Sequence, residues 1–187
     1  MTPSPKSPPD AGVSLLRRWG LSWGGWRDNR RGEWWLLAQL LLIAAHLLPP
    51  WPAPGSWGYA WPLPLALGGA VLFLVGMGLA LQGFLSLGAS LSPLPEPIPG
   101  AALVTSGAYG RCRHPLYQAV LLCSLGVTLA LGSLLHLGLL LALGAVLGGK
   151  ARREERALAC THPDYAAYRH STAAIIPRLP WLDWREL

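Results

Sequence analysis

The chain has 187 residues, a formal net charge of +6, 52% apolar residues and only 13% charged residues. The length suits one ordinary domain, and so low a charged fraction excludes a typical water-soluble domain and favours a membrane protein. The Lys and Arg residues flank apolar runs instead of covering one face. They therefore indicate membrane topology and argue against a nucleic-acid partner.

The beginning of the chain is rich in Pro, Arg and Trp and lacks the compact apolar core of a signal peptide. We expect residues 1–33 to form a cytoplasmic N-terminal tail, with an interfacial Trp/Arg segment over residues 15–26. Residues 34–100 are predicted to hold two membrane segments, 34–48 and 63–87, followed by a Pro-rich loop. The second segment is long enough to cross with tilt, and its glycines favour close helix packing.

A hydrophobic hairpin is predicted next. Its arms span residues 115–131 and 134–148, its turn is Gly132-Ser133, and each arm is short enough that a re-entrant hairpin remains an alternative to two full crossings. A polar helix over 150–169, bent near His162-Pro163, should follow. The end of the chain (Ile175, Ile176, Leu179, Trp181, Leu182 and Trp184) is expected to face lipid.

These elements predict an all-α integral membrane protein with about four transmembrane segments, including a helical hairpin, plus a cytoplasmic-side C-terminal helix. The basic residues lie before the first segment, before the hairpin and after it. The positive-inside rule then places both termini in the cytoplasm of a multi-pass protein, in the plasma membrane if the source is bacterial. The three cysteines show no disulfide or metal-ligand spacing, so we expect ordinary thiols and no metal site.

Two polar clusters bracket the hairpin and should meet, because a hairpin returns both its ends to one side of the bilayer. Pro115 suits the first position of a helix, whose free N–H groups favour anions, and Arg113 and His114 add donors beside it. Arg111 is interpreted as a topology residue. In the second cluster Glu154 and Glu155 are either surface residues of a helix or, for one of them, an inward acceptor suited to a diol or an ammonium group.

The pattern LVTSGAYxxxRHPxY, a hydrophobic hairpin, then EExxL and YxxY resembles the isoprenylcysteine carboxyl methyltransferase family and its bacterial relatives, in a superfamily that includes phospholipid methyltransferases. The resemblance implies that residues 101–187 form a core that binds S-adenosylmethionine. It implies that ten residues contact the cofactor, and that Glu155 is the neighbour that could take the place of Glu154. The ten residues are Leu103, Val104, Tyr109, Arg113, His114, Pro115, Leu116, Tyr117, Glu154 and Glu155.

The resemblance also implies a catalytic group. A family arginine that contacts the substrate corresponds by spacing to Lys150, with Arg153 as the alternative, and Glu154 completes the predicted catalytic set. The implied activity is methyl transfer to a membrane-embedded or lipophilic acceptor. A carboxylate acceptor, as in isoprenylcysteine, needs no general base because it is ionised at neutral pH. An amine acceptor would need one, and Glu154 or His114 would be the candidates.

Other functions remain open at this stage. The acceptor could be a phospholipid or a small lipophilic amine or thiol. A non-catalytic membrane scaffold or transporter subunit is the alternative from another class, although transport normally places ionisable groups within the spans. A membrane reductase of the sterol-reductase type, which binds a nicotinamide cofactor, is a further rival. The expected partner is a lipophilic small molecule or a lipid-linked substrate, and the oligomeric state is not predicted.

Overall fold

The computed structural model of the protein describes residues 23–98 and 100–185. Within those residues the chain is all helical and contains no β-strand, which confirms the predicted all-α class. The predicted interfacial segment over 15–26 falls mostly outside the described residues. The helices are α1 (Trp23–Asp28), α2 (Glu33–Ala45), α3 (Leu63–Leu87), α4 (Pro115–Leu131), α5 (Leu134–Thr161) and α6 (Tyr165–Ser171).

Two helices, α3 and α5, are long and apolar enough to cross a bilayer. Helix α3 leaves large apolar side chains such as Val71, Leu74 and Leu85 exposed at 59%, 68% and 75%. A soluble monomer rarely exposes so much contiguous apolar surface, so α3 is suited to contact lipid. Helices α2 and α4 are apolar but shorter. The four predicted crossings therefore stay a prediction.

Glycines on one face of α3 bring it against α4. A methyl group on Gly69 would lie 2.5 Å from the carbonyl oxygen of Gly126, and one on Gly76 would lie 2.6 Å from Sγ of Cys123. Two other glycines predicted to help packing, Gly68 and Gly78, have nothing within 4 Å of such a methyl group. The two helices thus approach closely because the glycines on this one face of α3 have no side chain.

The hairpin turn lies where it was predicted. Helix α4 ends at Gly132, whose φ of 58° is the left-handed conformation that favours glycine. Ser133 follows, and its hydroxyl accepts a hydrogen bond from the backbone N–H of Trp51 at 3.0 Å. The indole of Trp61 donates to the carbonyl oxygen of Leu129 at 2.7 Å. We call this end of the bundle the turn end.

Helix α5 is longer than expected. The sequence predicts that the fourth segment ends near Gly148 and that a separate polar helix begins at Lys150. In the structure, α5 continues unbroken to Thr161. The Gly148-Gly149 pair does not interrupt it because both residues serve packing. A methyl group on Gly149 would lie 2.4 Å from the Trp35 ring, and one on Gly148 would lie 3.5 Å from Leu182. The predicted break near His162-Pro163 is present, since α5 ends there and α6 begins at Tyr165.

The C-terminal segment, residues 172–184, folds back onto the bundle. Its backbone pairs with the stretch before α4, where the N–H groups of Arg113 and His114 donate to the carbonyl oxygens of Ala173 and Ala174 at 2.8 and 3.0 Å. The side chain of Ile175 is fully buried in the core among Leu121, Leu143, Leu147 and Ala151. The expectation that Ile175 faces lipid is therefore wrong, whereas Leu179 and Trp181 are exposed at 44% and 78%.

The opposite end of the bundle collects the polar clusters, and we call it the polar end. It holds the end of α3, the start of α4 and the charged part of α5 beyond residue 149. A methyl group on Gly107, in the turn before α4, would lie 2.8 Å from Oγ of Ser86 near the end of α3. The two clusters that bracket the hairpin thus meet on one side, as the hairpin argument predicted.

Candidate functional site

A buried ion group forms the base of the site. Arg113 lies in the stretch before α4 and Glu155 lies on α5, and their side chains are 1% and 0% exposed. Nε of Arg113 donates to Oε1 of Glu155 at 2.8 Å, and Nη2 donates to Oε2 at 3.2 Å. Nε2 of His114 donates to Oε1 of Glu155 at 3.0 Å, because an ionised carboxylate can only accept. The side chains of Arg113 and His114 thus both reach the buried acid.

His114 occupies this position because of the residue that follows it. Pro115 begins α4 without a backbone N–H, and the residue before a proline is kept out of the helical conformation. His114 has φ −127° and ψ 62° at the cap of α4. Its side chain therefore turns toward α5 instead of following the α4 face.

The guanidinium of Arg113 has little capacity left for a ligand. Besides Glu155, it donates to the carbonyl oxygens of Arg169 at 2.9 Å, of Trp184 at 2.6 Å and of Thr172. These bonds tie the stretch before α4, helix α6 and the C-terminal segment together. We infer that Arg113 holds the walls of the site in place.

Glu155 is kept ionised. It lies in the charged part of α5, beyond the apolar segment 134–149. Burial would raise the pKa of Glu155, but hydrogen bonds and positive charge from His114 and Arg113 outweigh it and lower that pKa to about 2. The indole Nε1 of Trp184 adds a further hydrogen bond to Oε2 at 2.8 Å. The protein itself therefore supplies four donors to this carboxylate.

Glu154, the neighbouring acid, has a different environment. Its side chain is 28% exposed, and its Oε2 accepts a hydrogen bond from the hydroxyl of Tyr117 at 2.8 Å. Nδ1 of His114 is 3.8 Å from the same oxygen, and the His114 ring stacks parallel to the Tyr117 ring with centroids 5.2 Å apart. Oε1 of Glu154 has no hydrogen-bond donor within the described residues. Glu154 is therefore the acid of the pair that is free to accept from a ligand.

A small cleft of about 80 Å³, open to the outside, lies beside this network. The Pro-rich loop forms one wall, and the end of α5 and helix α6 form the other. The residues that line the cleft are Leu87, Ser90, Ser92, Leu94, Glu96, Pro97, Ile98, Ala101, Ala102, Leu103, Val104, Tyr109, Arg113, Glu154, Leu158, His162, Tyr165 and Tyr168.

Three tyrosines give the cleft aromatic surface. The hydroxyl of Tyr168 donates to the backbone carbonyl of Tyr109 at 2.6 Å, and the Tyr165 and Tyr168 rings meet edge to face. The hydroxyl of Tyr165 is buried and has no partner among the described residues. Burial, reinforced by nearby carboxylates, raises the pKa of each of the three phenols far above its usual value, so they stay neutral donors. An unpaired buried hydroxyl is costly unless a ligand or a water meets it.

The predicted cofactor residues divide into two groups. Leu103, Val104, Tyr109, Arg113 and Glu154 line the cleft. The remaining five do not line it, and they lie around the network that supports Glu154: His114, Pro115, Leu116, Tyr117 and Glu155.

The two basic residues predicted to be catalytic also lie outside the cleft lining. Nζ of Lys150 donates to Oε1 of Gln39 at 2.7 Å and to the carbonyl oxygen of Pro93 at 2.8 Å, and it lies 5.3 Å from the centroid of the Tyr117 ring. Nη2 of Arg153 donates to the carbonyl oxygen of Arg30 at 3.1 Å. Lys150 thus fastens the Pro-rich loop to α2 and α5, and Arg153 fastens the stretch before α2.

Trp184 was predicted to face lipid, and its contact with Glu155 was not predicted. A buried indole requires an acceptor for its N–H, and a buried carboxylate requires donors. The sequence features that could have indicated this contact were therefore the acidic pair and a Trp near the C-terminus. Within the described residues, no group of three or more His, Cys, Asp or Glu side chains could hold a metal ion. Burial raises the pKa of the Cys112 thiol to about 11, so Cys112 is an unreactive thiol.

Comparisons with known proteins show which family the sequence is similar to. A sequence model of the phospholipid methyltransferase family matches residues 65–162, from the start of α3 to the end of α5. The cobalt-zinc-cadmium resistance protein CzcN of Cupriavidus metallidurans is 38% identical over 152 residues, which cover 81% of this chain and 65% of that protein. The chain therefore spans just under two thirds of the length of this relative. No solved structure matches.

Proposed function

The chain belongs to the phospholipid methyltransferase family, and from that premise we propose that it is a membrane enzyme that transfers a methyl group from S-adenosylmethionine to a lipophilic acceptor. Family membership and two helices long enough to cross a bilayer support the membrane location. The observation that carries the proposal is the cleft in which Glu154 offers a free carboxylate oxygen below three neutral tyrosines.

The described residues fit the cofactor. S-adenosylmethionine would supply an electrophilic methyl group on a sulfonium centre. The unpaired hydroxyl of Tyr165 and the free oxygen of Glu154 lie at the same cleft. A carboxylate accepts from a ribose diol or an ammonium group, and tyrosine rings attract a cation or stack on an adenine. Leu103 and Val104 would add apolar contact from the opposite wall.

The chain's own contribution to the reaction is positioning and exclusion of water. Nε2 of His114 is committed to the buried Glu155, and His114 does not line the cleft. This argues against His114 as a general base. An acceptor that is already ionised, such as the carboxylate of an isoprenylcysteine-like compound, is therefore the acceptor that we favour. A phospholipid amine or a small lipophilic amine or thiol is the alternative, with Glu154 as the base.

We further propose the membrane topology. Between Gly32 and Arg111 the chain contains no Lys or Arg, so the turn end carries none from its loops, while the polar end collects Lys150, Arg152, Arg153 and Arg156. The positive-inside rule then puts the polar end, the cleft and both termini in the cytoplasm, with all four apolar helices crossing. A methyl donor made in the cytoplasm would reach the cleft directly.

The relative is named as a metal-resistance protein, but we do not propose a second function for this chain from that name. That name describes a protein of which this chain spans 65%. The described residues contain no metal-binding cluster. We therefore do not assign metal binding to this chain.

Binding of S-adenosylhomocysteine to the purified protein in detergent tests the proposal. We expect Glu154→Gln to weaken binding by roughly 10- to 100-fold, the equivalent of one hydrogen bond to a charged group. Asp164→Asn is the matched control, since it makes the same change in an exposed acid at the start of α6. Calorimetry measures both affinities, and thermal denaturation shows whether the variants are folded.

Two results would overturn the proposal. One is a wild-type protein that is stabilised by NADPH and not by S-adenosylhomocysteine, which would favour a reductase. The other is unchanged affinity in both Glu154→Gln and His114→Ala. If binding is confirmed, transfer of a radiolabelled methyl group to lipophilic carboxylates, phosphatidylethanolamine and prenyl thiols identifies the acceptor class.

A further inference from the structure

We propose that Trp184 is a positioning residue of the methyl-donor site, acting through Glu155, His114 and Tyr117 on the ligand-facing Glu154. The inference rests on the proposed function of the cleft. Trp184 does not line the cleft, and it lies beyond residue 162, where the family match ends.

Trp184 is bound to the buried ion group at two points. Its indole Nε1 donates to Oε2 of Glu155 at 2.8 Å, and its backbone carbonyl accepts from Nη2 of Arg113 at 2.6 Å. Nη2 of Arg113 also donates to the same Oε2 of Glu155 at 3.2 Å. The indole and the guanidinium thus hold one carboxylate oxygen from two sides.

The indole is one of the two donors that Oε2 of Glu155 has among the described residues, the other being Nη2 of Arg113. The Glu155 side chain is 0% exposed. Its Oε1 is already shared between Nε of Arg113 and Nε2 of His114. A buried carboxylate that loses a donor reorients or becomes easier to protonate. Either response would change the position of His114.

The contacts continue from His114 to the ligand-facing acid. The His114 ring lies parallel to the Tyr117 ring, with an interplanar angle of 2° and centroids 5.2 Å apart. The Tyr117 hydroxyl donates to Oε2 of Glu154 at 2.8 Å, which leaves Oε1 free to face the cleft. The orientation of the Glu154 carboxylate therefore depends on a chain of contacts that begins at Trp184.

The indole itself is held by the surface of α5. Cζ of Arg152 lies 4.3 Å from the centroid of the Trp184 ring, and Nη2 of Arg152 donates to the carbonyl oxygen of Trp181 at 3.0 Å. A guanidinium stacked on an indole is a favourable cation–π contact. Arg152 thus fixes the ring without touching Glu155, which provides a second way to perturb Trp184.

The experiment compares Trp184→Phe with Trp181→Phe. The first removes the indole N–H and keeps an aromatic ring. The second makes the same change in a side chain that is 78% exposed. We expect Trp184→Phe to weaken S-adenosylhomocysteine binding by about 5- to 10-fold, less than the direct loss in Glu154→Gln, and Trp181→Phe to leave it unchanged. Arg152→Met should give a smaller loss in the same direction.

The pH dependence of binding separates positioning from general destabilisation. A carboxylate with a lowered pKa contributes at higher pH, and its contribution is lost as the pH falls through that pKa. Removing a donor raises the pKa of Glu155, so the acid limb of binding should move to higher pH in Trp184→Phe and not in Trp181→Phe. The ionisable groups that face Glu155 from all packed elements are Arg113, His114, Glu154, Tyr165 and Tyr168.

A ligand-free measurement keeps this inference separate from the proposed function. The ¹⁵N–H signal of the Trp184 indole, identified by its loss in Trp184→Phe, should shift when Glu155 is replaced by Gln. If that shift is seen and the wild type binds no donor analogue, the proposed function fails while the contact stands. If the wild type binds but Trp184→Phe matches Trp181→Phe in affinity and pH profile, the positioning role is overturned.

Discussion

The two ends of the bundle use buried polar groups in different ways. At the turn end imidazole and hydroxyl groups join helix to helix. His46, at the end of α2, donates from Nδ1 to the carbonyl oxygen of Leu42 at 2.7 Å and accepts at Nε2 from the Ser124 hydroxyl at 2.5 Å. Thr128 on α4 donates to the carbonyl oxygen of His136 on α5 at 3.2 Å. At the polar end a full charge is buried and held by four donors.

This difference indicates that the polar end is the end suited to bind a ligand. The turn end also contains an unpaired group, Nδ1 of His136, but no described cleft includes His136. At the polar end Glu154 and Tyr165 present unpaired oxygens to a cleft. Buried polar groups near lipid are expected to satisfy one another. The polar end departs from this pattern at Tyr165, which lines the cleft, and also at Oε1 of Glu33, which is buried and lines no described cleft.

The largest loss of stability is expected from Arg113→Met at the polar end. This change leaves the buried Glu155 without its guanidinium partner and removes the hydrogen bonds of Arg113 to the C-terminal segment. We expect a loss of about 3–5 kcal/mol in the free energy of unfolding, the cost of breaking a buried ion pair by removing one partner. Reversible denaturation by SDS in mixed micelles measures it.

Arg111→Met is the matched control for this change. Arg111 lies two residues earlier and is exposed, and its guanidinium donates to Oε1 of Gln82. We expect a loss below about 1 kcal/mol, as for exposed charged pairs. Equal losses in the two variants would show that the buried ion group does not stabilise the polar end more than a surface contact does.

A smaller effect is expected from filling the glycine stripe between α3 and α4. At Gly69, in the half of α3 near the turn end, a new methyl group would meet the backbone of α4 at 2.5 Å. At Gly83, near the polar end, it would meet the Leu116 side chain at 2.8 Å. Backbone cannot yield as a side chain can, so Gly69→Ala should cost about 1–3 kcal/mol and Gly83→Ala less.

Gly68→Ala completes this series. Its methyl group would meet nothing within 4 Å, and alanine favours helix over glycine, so we expect no loss of stability. The same denaturation assay applies. If Gly83→Ala destabilised more than Gly69→Ala, the tighter contact of the two helices would lie at the polar end, contrary to the structure.

Much of this arrangement could be predicted from the sequence because it depends on local chemistry. The turn at Gly132 followed from a glycine between two apolar runs. The meeting of His114 with the acidic pair followed from the geometry of a hairpin and from Pro115 at a helix start. The family was predicted from the same motif and is confirmed by the match over residues 65–162.

The division of roles between Glu154 and Glu155 could not be predicted. Adjacent residues on a helix point about 100° apart, so one faces the network and the other faces the cleft. Which one does so depends on the rotation of α5, and that is set by distant packing such as Leu182 against Gly148. The burial of Ile175 was missed because apolar side chains suit a protein core and lipid equally.

A change of well under about 1 kcal/mol in stability is expected from Ser124→Ala at the turn end. The change removes the hydrogen bond to His46, and polar contacts inside membrane proteins contribute only about 0.6 kcal/mol on average. A double-mutant cycle with His46→Phe isolates this pair energy. Because the turn end contains no donor site, affinity for S-adenosylhomocysteine should stay unchanged in every variant of the cycle. A tenfold loss of affinity without a loss of stability would mean that the His46–Ser124 pair is coupled to the cleft, and the two ends would then have to be treated as one functional unit.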